Sequence, residues 1–190
     1  MELKNNGITT DEDLSQMLSA CYRCYKLTND GKFVMSYTDL VNVTLPRHQK
    51  KCVLILNTLP KSNKQNESVN VSNMSQSSQQ TTGHWICCVL FGSTLYVFDG
   101  LSKIHHNTNV MHSIKQFCRS NNFTFQNVHF RFQVLESFSC GYLTLYFVAK
   151  TSLLNQRSLM KMINMLKQHN VKSRENHMLK YVLRHFKIKL

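Results

Sequence analysis

The spacing of apolar side chains divides the chain into helical and extended stretches. Leu14, Met17, Leu18, Cys21, Tyr22 and Tyr25 recur at the three-and-four spacing of one helical face. Thr10 stands where an N-cap belongs, and Asp11, Glu12 and Asp13 fill the first turn. The pattern predicts one amphipathic opening helix over 11–25. Phe33-Val34-Met35 is a short apolar run, followed by Asp39-Leu40. Cys52-Val53-Leu54-Ile55-Leu56 is denser, rich in β-branched residues and too short for a helix, so it reads as an inner strand. Trp85 to Phe91 and Thr94 to Phe98 are apolar runs joined by Gly92-Ser93, the pattern of a hairpin at the centre of the fold.

Further along, Val110, Ile114, Phe117 and Cys118 mark a short helix over 110–119, and Phe123 to Phe132 alternates as a strand does. Gly141 to Lys150 is almost wholly apolar and reads as a buried helix directly behind Cys140. From Ser152 two more helical patterns follow, built on Leu153, Leu154, Leu159, Met162, Ile163 and Leu166, then on Met178, Leu179, Val182, Leu183 and Phe186. Between 61 and 82 the residues are Ser, Asn and Gln with scarcely an apolar side chain, which predicts a mobile polar loop separating two strands. The expected fold is therefore α+β over a single domain, 1–190. A mixed, largely antiparallel sheet of about five strands is flanked by helices, with Cys140 at the N-terminus of a buried one.

Composition narrows the setting. At 42% hydrophobic the chain has the apolar content for a packed core, which excludes a disordered chain. Seven cysteines are odd in number and scattered, so reduced thiols in an intracellular protein fit better than a secreted disulfide scaffold. Residues 1–13 lack the pattern of a signal peptide, and no run of about eighteen apolar residues occurs, so neither a leader nor a membrane span is expected. Without a leader, the acceptor-type triplets beginning at Asn66, Asn70 and Asn73 carry no weight. The net charge is +13, and its basic residues cluster over 152–190 at Arg157, Lys161, Lys167, Lys172, Arg174, Lys180, Arg184, Lys187 and Lys189. Such a field attracts polyanions, nucleic acid among them, without choosing one.

Four features in fixed order carry chemistry: Gly83-His84-Trp85 opening a strand, Val97-Phe98-Asp99-Gly100 closing the next, Gln133, and Ser139-Cys140-Gly141 opening the buried helix. A thiol nucleophile needs an imidazole to take its proton, and that imidazole needs an acceptor to fix its tautomer and stabilise its charge. A cysteine at a helix N-terminus feels the positive end of the helix dipole, which favours the thiolate. An oxyanion needs donors, which a carboxamide and the Cys140 N–H provide. Catalytic roles are thus expected for His84, Asp99, Gln133 and Cys140. His84 and Asp99 stand at the outer ends of antiparallel neighbours, because Gly92-Ser93 lies near their midpoint.

Other candidates are weaker. Cys21-x-x-Cys24 has no second cysteine pair at zinc-finger spacing, and structural thiols are expected there. His105, His106, His112 and His129 form no metal-ligand pattern, so no metal and no small-molecule cofactor are expected.

The four features resemble the adenovirus-type cysteine endopeptidase (adenain) family and, more distantly, the SUMO-deconjugating proteases, in which the order is His, Asp or Glu, Gln, Cys. Leu56-Asn57-Thr58 resembles the Val-Asn-Thr ahead of the histidine strand. Phe33-Val34 with Asp39-Leu40 is similar to a motif of relatives in other DNA viruses and virus-like transposons. The likeness spans 33–150. It departs where Asp99 replaces the usual Glu of adenoviral enzymes, where the loop before His84 is longer, and at Glu136-Ser137-Phe138-Ser139 before the thiol.

The resemblance implies a thiol protease that cleaves viral precursor proteins of capsid or core after glycine during virion maturation, in the host nucleus and the virion, as a monomer. It implies an activating peptide from a capsid protein, with Cys118 as its disulfide partner, and DNA as a second cofactor. Two alternatives stand beside it: a deconjugase for ubiquitin-like modifiers, and a non-catalytic basic protein binding nucleic acid or capsid on the same fold.

Overall fold

The structure, a computed structural model, describes residues 10–59, 83–135 and 137–188. The polar stretch 61–82 and the triplets within it lie outside the described residues. In chain order the elements are α1 (Asp11–Ser19), α2 (Tyr22–Leu27), β1 (Val34–Ser36), β2 (Lys51–Asn57), β3 (Trp85–Phe91), β4 (Thr94–Phe98), α3 (Thr108–Ser120), β5 (Thr124–Asn127), α4 (Cys140–Leu153), α5 (Gln156–Leu166) and α6 (Val171–His185).

The sheet runs β1-β2-β3-β4-β5. Its two inner pairs are antiparallel and its two outer pairs parallel. The protein is therefore α+β with a mixed five-stranded sheet flanked by helices, less antiparallel than expected because both edges join by crossovers. At the β5 edge the crossover is α3, a βαβ unit. The hairpin expected at Gly92-Ser93 is present, with Phe91 opposite Thr94. Gly92 sits at φ +61°, where a side chain would be strained.

Every residue of β3 is buried, and alternation sends its side chains into two cores. Trp85, Cys87, Val89 and Phe91, with Tyr96 and Phe98 of β4, pack beneath α1, α2, α4, α5 and α6. Ile86, Cys88 and Leu90, with Leu95 and Val97, pack against Val110, Ile114, Phe117 and Cys118 of α3. The helix α4 is buried on all sides from Gly141 to Ala149, which is why it shows no amphipathic period. Phe147 of α4 stacks on Phe98 with ring centroids 4.4 Å apart and meets Phe132 edge-on at 5.0 Å. This aromatic group ties the end of β4, the chain before Cys140 and α4 together. Phe147→Ala is expected to cost about 3–5 kcal/mol in urea unfolding, because the cavity forms between three elements. A loss below about 1 kcal/mol would show that the cluster does not hold the site.

Two expectations need correction. The opening helix is broken: Ala20 and Cys21 close α1 through N–H bonds to Met17 and Leu18, and Cys21 then becomes the N-cap of α2 with extended backbone. Leu14, Met17 and Leu18 of α1 and Cys24 of α2 all enter the same core. The alternating run 123–132 is strand only over Thr124–Asn127. Beyond it, the N–H groups of Phe132 and Gln133 both donate to the Gly100 carbonyl at 3.0 Å, which turns the chain toward the end of β4. The two basic C-terminal helices form, each N-capped by an asparagine, Asn155 and Asn170, but the first begins only at Gln156, because Ser152 and Leu153 belong to α4 and Leu154 is its C-cap.

Candidate active site

His84 is placed by the end of β2. Its backbone N–H donates to Thr58 Oγ1 at 3.1 Å and its carbonyl accepts from Thr58 N–H at 2.9 Å. Asn57 packs so closely that a Cβ on Gly83 would lie 2.2 Å from Asn57 Oδ1. Leu56-Asn57-Thr58 and Gly83-His84 are therefore one device, each locking the other's backbone. Gly83→Ala should displace the histidine, with kcat falling at least tenfold while Tm moves little. Unchanged kcat would mean that Asn57 simply swings aside.

Asp99 follows β4. The register that pairs Cys87 with Phe98 sets Asp99 opposite Ile86, with His84 two residues farther out on the same side. The imidazole reaches it: His84 Nε2 lies 2.6 Å from Asp99 Oδ1. Asp99 is 2% exposed. Its Oδ1 also accepts from Leu101 N–H, and Oδ2 accepts from the N–H groups of Lys103 and Ile104. Burial pushes its pKa up, but the His84 hydrogen bond and charge and these backbone donors outweigh that and hold it below the usual carboxylate value.

Cys140 is the first residue of α4. With Nε2 of His84 engaged by Asp99, Nδ1 is the nitrogen left for the sulfur, and His84 and Cys140 are hydrogen-bonded. Burial raises the Cys140 pKa, yet the His84 hydrogen bond and charge, with N–H groups of Trp85 and Gly141, pull it below the ordinary thiol value. Cys24, Cys52, Cys87, Cys88 and Cys118 shift the other way, all driven first by burial. For His84, burial alone would lower the pKa, but Asp99 and the thiolate raise it to about 9. The favoured pair is thus thiolate and imidazolium. Activity that uses this pair should rise as Cys140 ionises and fall as pH passes about 9, where His84 loses its proton. Asp99→Asn should move the alkaline limb to lower pH; a pH–rate profile unchanged by that substitution would separate Asp99 from the pair.

Gln133 is 2% exposed and packs against Gly100, whose missing side chain makes room for its Oε1. Its Nε2 donates to the Ser137 carbonyl at 2.7 Å. The carboxamide is thereby joined to the residue after Asp99 and to the loop before Cys140.

One residue of this site escaped the sequence reading. Glu175, in the first half of α6, is 5% exposed and accepts from Val134 N–H at 3.0 Å and from the hydroxyls of Ser137 and Ser139. Ser139 occupies the N-cap of α4 but makes no capping bond with its side chain. Glu175 draws that hydroxyl away, leaving the first N–H groups of the helix to face an anion. Arg174 beside it donates to the carbonyls of Arg131, Leu166 and Lys167. It therefore serves as a clamp on the same loop, not as part of a solvated basic face. Glu175 carries no motif and lies 36 residues beyond Ser139, so only the fold reveals it.

No protein-family model, curated protein or solved structure matches this chain. Its chemistry rests on the arrangement of its own side chains. Cys118, implied as a disulfide partner, is 4% exposed within the α3 core, and burial pushes its thiol up to about 11. All seven cysteines are free thiols. Among the described residues no helix is long and apolar enough to cross a membrane.

Proposed function

We propose that the chain is a cysteine endopeptidase with an adenain-like arrangement, in which Cys140 is the nucleophile. The observation that carries this reading is the chain of contacts from Asp99 through His84 to a thiol at the N-terminus of a buried helix. The Cys140 thiolate attacks a peptide carbonyl, and the carbonyl electrons move onto oxygen, which the Cys140 N–H and the Gln133 carboxamide receive. His84, protonated and steadied by Asp99, gives its proton to the leaving amine. Water then attacks the thioester with His84 as base, releasing the acid and restoring the thiol.

By its resemblance, the substrates are viral precursor proteins cut after glycine during maturation, and an activating peptide and DNA are partners. The basic residues of α5 and α6 support nucleic-acid binding through phosphate contacts. Such binding should weaken steeply and independently of sequence as salt rises, read by fluorescence anisotropy on a short duplex; salt-insensitive binding would remove phosphate contacts from the account.

The test is labelling. A vinyl sulfone peptide or iodoacetamide should modify Cys140 ahead of the other cysteines, and His84→Ala should remove that preference. Equal labelling of Cys140 in both proteins would instead favour a non-catalytic protein on this fold.

A further inference from the structure

Away from the site just described, the break between α1 and α2 brings Cys21 and Cys24 beside the last turn of α6. His185 Nε2 lies 3.6 Å from Cys21 Sγ and 3.9 Å from Cys24 Sγ, and the three atoms are all within 4.8 Å of one another. A tetrahedral zinc ion, with bonds near 2.3 Å to sulfur and 2.0–2.1 Å to nitrogen, sets sulfur and nitrogen ligands about 3.6 Å apart. The observed separations fit that geometry around one ion. The cysteines stand at the two-residue interval common in zinc sites. The sequence lacked a partner for them because His185 comes from the opposite end of the chain.

The surroundings suit a metal held for structure. Cys24 is fully buried beside the end of α4. Cys21 and His185 are only half-buried, so an ion has a path from solvent. The Tyr181 ring stacks on His185 at 5.5 Å and 13°, holding the imidazole in plane.

We propose that Cys21, Cys24 and His185 bind one zinc ion, with a water molecule as fourth ligand, and clasp α2 to α6. Binding exchanges two thiol protons for the ion, which both thiolates neutralise, while the imidazole ligates in its neutral form. The ion plays no part in peptide cleavage. It fixes the end of the helix whose first half carries Glu175.

The experiment uses the full chain, stripped with chelator under reductant and titrated with Zn2+, then with Co2+ as an optical probe. One equivalent should bind, raising Tm by about 5 °C or more. Co2+ should produce a thiolate charge-transfer band. Cys21→Ser, at a half-buried position that leaves the apoprotein folded, should lose both the band and the Tm increment, and His185→Ala should shrink them. Cys140→Ala should keep them. Three outcomes overturn the proposal: no thiolate band in the wild type, a band that survives Cys21→Ser but vanishes in Cys140→Ala, or a Cys21–Cys24 disulfide in reductant-free protein that stripping and zinc loading leave in place.

Discussion

If Cys140 is the nucleophile as proposed, Cys140→Ala is expected to abolish peptide cleavage, by about 10^5-fold or more in kcat/KM, and to leave the fold intact. The side chain is at the rim of the core, and the helix behind it is secured by Phe147 and its neighbours. Losing one sulfur therefore costs little stability. Cys140→Ser should fare scarcely better, because a hydroxyl keeps its proton under conditions in which this thiol loses it to the His84 pair. His84→Ala should cost a similar factor, and the double variant no more than either alone, since the two groups act as one unit. The measurement is turnover of a fluorogenic peptide with glycine before the scissile bond, alongside thermal unfolding. Residual activity in Cys140→Ala above about one hundredth of wild type would place the nucleophile elsewhere.

Glu175→Ala is the second large effect, and it acts through position. The substitution leaves the Val134 N–H and the Ser137 and Ser139 hydroxyls without their shared acceptor. Stability should fall by about 2–4 kcal/mol, the cost of buried donors losing a charged partner. Cleavage should fall about 100-fold, because the loop carrying Gln133 and opening α4 is no longer held to within an ångström. Iodoacetamide labelling of Cys140 should change far less, since the thiolate–imidazolium pair does not touch Glu175. Labelling and turnover that drop together would mean Glu175 merely keeps the domain folded. Glu175→Gln should recover part of the turnover, because one carboxamide oxygen still accepts.

Much of this was legible in the sequence because it is local. The hairpin announces itself through Gly92-Ser93 between two apolar runs, and its geometry brings His84 toward Asp99. The buried helix after Cys140 follows from a nearly unbroken apolar run. What was not legible depends on where helices end up after packing. The kink at Ala20–Cys21 leaves no mark in the apolar period, since both halves remain amphipathic. Glu175 and Arg174 look like ordinary charged residues on a basic helix until α6 settles beside the 131–139 loop. His185 is silent for the same reason, as its partners lie 164 and 161 residues away.

The anchor supplied by Glu175 also orders events in time. His84, Asp99, Gln133 and Cys140 all leave the ribosome before the residue that fixes the loop between the last two of them. A nascent chain thus carries every reacting group before it carries the residue that positions two of them. On the proposed function, the site therefore gains its working geometry only after α6 has been made.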